Sequence, residues 1–396
     1  MTAAAIGLVA CAIWVYLLAA RGGFWRGAQR DDSDAVTSSP DIAWPNVCAI
    51  IPARDEAAVI GDSLRSLLRQ DYRGSFDAIV VDDSSSDDTA AIARGIAVAE
   101  GGGRQVTVVA APSLAAGWTG KLWALHCGIR HAQALAAPPD YLLLTDADIR
   151  HADDSLTNLV GRALRDRLVL TSLMAKLRCA SFAEHLLVPA FIFFFQMLYP
   201  FAWVNRADRA TAAAAGGCML VERRALLAAG GIEAIRGELI DDCALAQLLK
   251  RQGGSIWLGL TLRVASARAY ASVGEIRRMV ARSAYAQLGY SPWALLATTV
   301  AMIVTFVVPP LLAIFARGAP QLVGVLAWAL MAVAFQPTLR FYRVSPGWGL
   351  ALPAIAGAYL AFTWDSLWQN LRGTRGAWKG RVYGGAAEHE ITKNGG

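Results

Sequence analysis

The chain carries little charge for its length: of 396 residues, 17% are charged while 55% are hydrophobic. Soluble domains hold roughly a quarter charged residues, so a wholly soluble protein is excluded, and the mean hydropathy of +0.39 agrees. Cysteine is sparse as well. Cys11, Cys48, Cys127, Cys179, Cys218 and Cys243 form no C-x-x-C pair and no metal-ligand spacing, so they read as reduced, buried thiols on a cytosolic face. The G-x-x-x-x-G-K-[ST] spacing of a phosphate-cradling P-loop is also missing. A net charge of +6 with pI near 9.1 would suit nucleic acid, but the Arg and Lys residues gather beside apolar runs, where anionic lipid headgroups meet them. No nucleic-acid partner is expected.

What the chain has instead is long uncharged runs. Thr2–Ala20 carries no charge and is followed by Arg21, Arg26 and Arg30, which predicts a membrane anchor over 1–21 with its C-terminal side cytoplasmic. The charges follow the apolar stretch and no A-x-A site closes it, which disfavours a cleaved signal peptide. The polar stretch Asp31–Pro45 places a linker over 22–45. Near the other end, Ser291–Ala316, Gly318–Leu339 and Val344–Thr363 are uncharged and long enough to cross a bilayer. They define transmembrane helices over 291–368 and a basic tail over 369–396. A further uncharged run, Leu186–Val204, is interrupted by Pro189, Gln196 and Pro200 and reads as an interfacial or acceptor-lining helix. An anchor plus three spans would put the tail outside, against its own Arg372, Arg375, Lys379 and Arg381. A re-entrant last run, interrupted by Pro353 and glycines, or a crossing at Leu186–Val204 would each remove the conflict.

Residues 46–290 read as α/β. Short apolar runs at Val47–Ile51, Ala78–Val81, Val106–Ala110, Tyr141–Thr145 and Leu168–Leu173 alternate with helical stretches. This is the pattern of a doubly wound, mostly parallel sheet buried on both faces. Ligands of such sheets bind at the C-terminal strand ends, and the acidic motifs follow those ends.

Ile50-Ile51-Pro52-Ala53-Arg54-Asp55-Glu56 ends the first strand in a proline turn that can meet a base or ribose, or else starts a helix with Asp55 and Glu56 at its positive end. In Val80-Val81-Asp82-Asp83-Ser84-Ser85-Ser86-Asp87-Asp88-Thr89, capping by Ser86 or Asp87 leaves Asp82 and Asp83 unexplained, and such carboxylates can accept from ribose hydroxyls or a base N–H. Gly117-Trp118-Thr119-Gly120-Lys121 opens a helix with a lysine able to meet a phosphate. Tyr141–Asp148 ends an apolar strand in Asp146-Ala147-Asp148, whose two carboxylates share a side if the extended backbone continues. Hard oxygens so placed suit Mg or Mn bridging a diphosphate. Gly216–Val221 reads as a glycine-opened strand, and Glu238-Leu239-Ile240-Asp241-Asp242 precedes a helix. One of the two aspartates caps that helix or serves as a general base.

Taken in order, IPARDE, VVDDSSSDDT, GWTGK, TDAD, GGCMLVERRAL, IDDCAL, RSAYAQLGYSP and RGAWKGR resemble a family 2 glycosyltransferase of the GT-A fold, from about Ile50 to Tyr383. More narrowly, the set resembles the hopanoid-biosynthesis-associated membrane glycosyltransferases of bacteria and, more distantly, ceramide glucosyltransferases. The resemblance implies that Pro52, Arg54, Glu56, Asp82, Asp83, Lys121 and Asp146 line a nucleotide-sugar pocket, that Asp146 and Asp148 hold a divalent metal, and that Asp242 is the base. Asp241 stands where many members carry Glu. Gly217, Arg282, Trp378 and Arg381 are candidate contacts of acceptor or diphosphate. The Q-x-x-R-W signature of processive members is absent around Arg278, Arg282, Ser283 and Tyr285, which points to a single transfer. The expected enzyme sits in the bacterial inner membrane with its catalytic domain in the cytoplasm and moves one sugar from a nucleotide diphosphate sugar to a lipid hydroxyl, a hopanoid's. The alternatives are transfer to a polyprenyl phosphate and an inactive nucleotide-sugar-binding membrane protein. A transporter is disfavoured because no charged residue lies within the apolar runs before Asp365.

Overall fold

The computed structural model describes residues 3–32, 43–100 and 103–372. In chain order the elements are α1 (Ala3–Ala19), β1 (Val47–Ala53), α2 (Ile60–Leu68), β2 (Phe76–Asp82), α3 (Thr89–Glu100), β3 (Val106–Ala110), α4 (Gly120–Gln133), β4 (Tyr141–Thr145), β5 (Ile149–His151), α5 (Ser155–Arg165), β6 (Leu170–Lys176), α6 (Phe182–Leu198), α7 (Phe201–Val204), β7 (Cys218–Glu222), α8 (Arg223–Ala228), α9 (Asp241–Arg251), β8 (Ile256–Ser266), α10 (Val273–Ala281), α11 (Ala284–Gln287), α12 (Pro292–Met302), α13 (Val308–Phe315), α14 (Ala319–Tyr342) and α15 (Trp348–Leu371). A π-helical stretch, Ile303–Val307, joins α12 to α13.

The strands form one sheet in the order β3-β2-β1-β4-β7-β6-β8-β5. Only β7 and β5 oppose the common direction. Side chains alternate across it. Ala49, Ile51 and Ala53 of β1 pack with Ile60, Leu64, Leu156 and Leu159 under α2 and α5, whereas Cys48 and Ile50 join Leu122, Leu125 and Ile129 of α4 and the apolar helices. The α/β class and the mostly parallel sheet agree with the pattern of apolar runs. β5 and β8 were not foreseen, and β6 spans Leu170–Lys176 instead of starting at Leu168.

Among the described residues, four helical segments are long and apolar enough to cross a membrane: Phe182–Val204, Pro292–Phe315, Ala319–Tyr342 and Trp348–Leu371. The shorter α1 packs among them. Its Trp14 is fully buried, meets the Phe306 ring edge-on at 5.5 Å and donates from Nε1 to the Thr305 carbonyl at 2.8 Å. The π-helical register lies at that carbonyl, and in an apolar medium a donor of this kind fills what lipid cannot. α15 runs unbroken through Pro353.

All six cysteines are free, but Cys11, Cys127 and Cys179 are only half-buried. The first residues of the expected linker are docked to the sheet. Leu260 donates to the Gln29 carbonyl at 2.9 Å, Asp31 donates to the Leu260 carbonyl at 3.1 Å, and Thr261 Oγ1 donates to the buried Asp31 carboxylate at 2.6 Å.

Gly128 of α4 lies against β1 and β2, where a Cβ would stand 2.5 Å from Ile50 Cγ2 and 2.9 Å from Val81 Cγ2. Overpacking a core costs about 1–3 kcal/mol, and the helix preference of Ala over Gly returns at most ~1 kcal/mol. Gly128→Ala therefore lowers the unfolding temperature in detergent; an unchanged or raised temperature would contradict the close helix–sheet approach.

Candidate active site

The acidic motifs meet at one edge of the sheet because β1, β2 and β4 end there and α4 and α9 begin there. Thr119 caps α4, its Oγ1 accepting from Leu122 N at 3.4 Å, and this sets Lys121 in the first turn. Lys121 Nζ lies 2.9 Å from Asp146 Oδ1 and 3.2 Å from Asp241 Oδ2. Burial alone would lower the ammonium's pKa, but the charges of Asp146, Asp241 and Asp242 more than reverse this and hold it above the usual lysine range.

Asp242, next along α9, is fixed by main chain. Gly216 N–H donates to its Oδ2 at 2.8 Å and Cys243 N–H to its Oδ1 at 2.7 Å. Gly216 is closely approached, since a Cβ there would lie 3.0 Å from Lys121 Nζ and 3.4 Å from Asp242 Oδ2. Burial, then the Asp241 charge, pushes Asp242 up to about 6, with Lys121 and the two N–H donors pulling the other way.

Asp146 and Asp148 do not continue as an extended strand. β4 stops at Thr145, and Ile149 N–H donates to the Asp146 carbonyl at 3.2 Å in a turn. The two carboxylates consequently face different cations. The Asp146 side chain keeps 36% of its surface open to the cleft; burial raises its pKa, Lys121 opposes this and Asp148 adds to it. Asp148 Oδ2 accepts from Ser266 Oγ at 2.9 Å and Arg268 Nε at 3.1 Å, and Arg268 Nη2 reaches Glu56 Oε1 at 2.7 Å. Arg268 was not foreseen. The signal was the apolar run Ile256–Leu260 continuing into Arg263 and Ser266, a strand that delivers Arg268 to the same edge.

The remaining expected residues divide by role. Pro52 is buried within β1, and Asp83 is fully buried behind the loop after β2 with its N–H on the Ala53 carbonyl at 2.8 Å. Arg54 donates to the Asp83 carbonyl at 2.6 Å. Asp82 accepts from Ser85 N–H at 3.3 Å, and Asp87 Oδ1 accepts from Thr89 N–H at 3.0 Å, so Asp87 supplies the start of α3. Asp55 binds Ser86 N–H at 2.7 Å, and Glu56 is turned to Arg268. Gly217 is packed on Ile149 and Ala175, its carbonyl taken by Thr145 Oγ1 at 2.8 Å. Arg282 is exposed at the end of α10. Trp378 and Arg381 lie outside the described residues.

Among the described residues no three His, Cys, Asp or Glu side chains converge on a metal position. A cage built wholly of protein ligands is therefore not the expectation. Two carboxylates with a substrate diphosphate do suit Mg or Mn, which are commonly held that way, and the Asp146 surface open to the cleft gives such an ion access.

Residues 48–228 match the family described as Glycosyl transferase family 2. Over these residues the chain carries a glycosyltransferase domain. The mannosyltransferase PcManGT from Pyrobaculum calidifontis, solved in complex with GDP-Man and Mn2+, resembles it in fold with a TM-score of 0.55 at 19% identity, covering 93% of this chain and 99% of that one. Mannosyl-3-phosphoglycerate synthase from Rubrobacter xylanophilus shares 16% identity over 66% of this chain and 80% of its own, with a TM-score of 0.39. TarS 1-349 of S. aureus in complex with UDP-GlcNAc shares 13% over 83% and 92%, with a TM-score of 0.37. No curated protein matches the chain.

Replacing Lys121 by Met leaves three carboxylates without their cation. Breaking a buried ion pair in this way costs on the order of 3–5 kcal/mol. The folded pKa values of Asp146 and Asp242, already raised, then rise further above their unfolded ones, so the penalty is full at pH 7.5 and fades as pH falls and these two take up protons. Thermal unfolding of Lys121→Met at pH 7.5 and 5.5 should show the larger loss at 7.5; equal losses would mean that Lys121 does not balance this cluster.

Proposed function

We propose that the enzyme moves one sugar, with inversion, from a nucleotide diphosphate sugar to a hydroxyl of a membrane lipid at the cytoplasmic face of the bacterial inner membrane, and that Asp242 is its general base. The observation that carries this reading is the pair of backbone N–H groups aiming the Asp242 carboxylate beside Lys121 and Asp146, with its pKa pushed up to about 6. A base must be ionised yet still basic, and such a value serves both needs near neutral pH. Asp241 is drawn to Lys121, which leaves Asp242 the less neutralised of the pair.

Asp242 takes the proton of the acceptor hydroxyl as its oxygen attacks the anomeric carbon. The new carbon–oxygen bond forms on the face opposite the diphosphate, the old bond breaks, and its electron pair leaves on the phosphate oxygen. Pro52, Arg54, Glu56, Asp82 and Asp83 frame the nucleoside side of the pocket, and Lys121 meets the diphosphate. Asp146 and Asp148 would hold Mg or Mn, which offsets negative charge on the leaving diphosphate; the GDP-Man and Mn2+ bound by the Pyrobaculum enzyme support this assignment. A lipid acceptor is supported by the apolar helices and by the aromatic run Phe191–Phe195 of α6. The hopanoid assignment rests on the motif resemblance.

Nucleoside diphosphate release by the detergent-purified chain, screened with UDP- and GDP-sugars, Mg or Mn and bacteriohopanetetrol, tests the reading. Release should require the lipid and vanish in Asp148→Ala. Asp242→Asn should lower kcat by about 10²–10⁴ with donor Kd unchanged, and wild-type kcat/KM should fall as pH drops through about 6. Full activity of Asp242→Asn would remove the base assignment and favour an already anionic acceptor such as a polyprenyl phosphate.

A further inference from the structure

We propose that α15 does not cross the bilayer but lies along its catalytic-side face, so that both of its ends, and the chain leaving it at Arg372, stay on the side of the glycosyltransferase domain. By length alone α15 could span, since 24 residues make about 36 Å against a hydrocarbon core of ~30 Å. Its contacts forbid this.

Near its start, the Trp348 ring meets the Phe182 ring at a tilt, centroids 5.7 Å apart; Phe182 adjoins Ser181, whose Oγ donates to the Tyr270 carbonyl just beyond β8 at 3.0 Å. Near its other end, Asp365 pairs with Arg277 of α10 at 3.3 Å and Ser366 Oγ accepts from Tyr285 N–H of α11 at 3.0 Å. Between them Tyr359 OH donates to the Leu187 carbonyl of α6 at 2.8 Å. A spanning helix would place one of these ends a membrane thickness away from α10 and α11, or from Ser181.

The surface chemistry fits the same placement. Leu350, Trp364, Trp368 and Leu371 follow one another at helical spacing on the outer face and are 60%, 44%, 55% and 68% exposed, while Leu352, Ile355, Tyr359 and Phe362 face inward. Trp364 Nε1 donates to Thr299 Oγ1 of α12 at 3.1 Å, in the first half of the apolar segment Pro292–Phe315 that the exposed Trp293 opens. Tryptophans gather at bilayer interfaces, so the occupant of this face is the lipid headgroup–acyl boundary. α6 has the same character: Arg21 binds the Met197 carbonyl at its far end at 3.1 Å, and Ser181 ties its start to the domain. The crossing elements are then α1, α12–α13 and α14, and Arg317 is the one charged residue from Pro292 to Leu339. The span count leaves the basic residues after α15 on the cytoplasmic side, as their charge requires.

The test needs no activity and is separate from the sugar-transfer reading. Val98→Cys, Arg317→Cys, Ser345→Cys and Arg372→Cys are introduced singly into the full chain and treated with a membrane-impermeant maleimide in inside-out and right-side-out vesicles, scored as labelling above the unsubstituted chain. Ser345→Cys and Arg372→Cys should label from the same side as Val98→Cys, with Arg317→Cys labelled from the other. Labelling of Arg372→Cys from the Arg317→Cys side overturns the proposal. A reporter fused to the carboxyl terminus reads the same question without a substitution: a fluorescent protein that fluoresces supports it, and alkaline phosphatase activity from the external face overturns it.

Discussion

One ammonium group, Lys121 Nζ, joins three parts of the chain that are far apart in sequence. Its own helix starts at the edge of β1, Asp146 closes β4, and Asp241 opens α9. Taking an ammonium and several carboxylates out of water is costly, and the mutual attraction offsets that cost only where the geometry is tight. Gly216 is part of that geometry, since a Cβ there would meet Lys121 Nζ at 3.0 Å and Asp242 Oδ2 at 3.4 Å. The cluster therefore gives weak evidence of stability and strong evidence of a constraint kept for another reason. A pocket meant to receive a diphosphate needs a fixed cation and needs its carboxylates held apart from one another.

A second cation repeats the arrangement on the other side. Arg268 bridges Asp148 and Glu56, tying the loop after β1 to the end of β8. Its charge is held above the ordinary arginine range because Glu56 and Asp148 outweigh the burial that opposes them. Asp146 and Asp148 are thus each matched to a positive side chain, which a divalent ion would have to share or displace. The pairing orients the carboxylates, so the site is prepared by residues of β8 and α4 and not by the two aspartates alone.

Much of this was legible in the residues. Continuous apolar runs fixed the central strands, because a parallel sheet covered on both faces leaves no room for polar alternation. The carboxylates stood out because burial after such strands demands a partner. The partner was harder to read. β8 carries Arg263 in its second half, its apolar run is followed by a mixed stretch, and a single sequence does not say which arginine folds back. The geometry at Asp146 also escaped, since a D-x-D read as extended puts both side chains on one face, and a turn at that point reverses the conclusion. The docking of Gln29–Asp31 on β8 was hidden for a related reason: backbone pairing leaves no mark on side-chain pattern.

The joint between the apolar helices and the sheet follows from α6. Its residues are too apolar for a solvent-facing helix, and Phe193, Val188 and Ile192 are too deeply buried for a lipid-facing one. Phe193 meets Phe24 at 5.3 Å and Phe335 at 5.2 Å, while Phe194 meets Phe306 at 5.7 Å and Tyr359 at 5.0 Å. One helix therefore packs against elements from the N-terminal segment, α14, the π-helical turn and α15 at once. Interiors packed in this way resist sliding. The position of the carboxylate cluster relative to the apolar helices is consequently set by packed contacts. The C-terminal end of α6 leads to Tyr199, whose hydroxyl accepts from Gln287 Nε2 at 2.6 Å and whose pKa is raised by burial, with Cys243 and Asp242 near enough to add to it. An apolar path along α6 thus ends in polar groups beside Asp242, a gradient suited to the proposed acceptor, whose body belongs in lipid and whose hydroxyl does not.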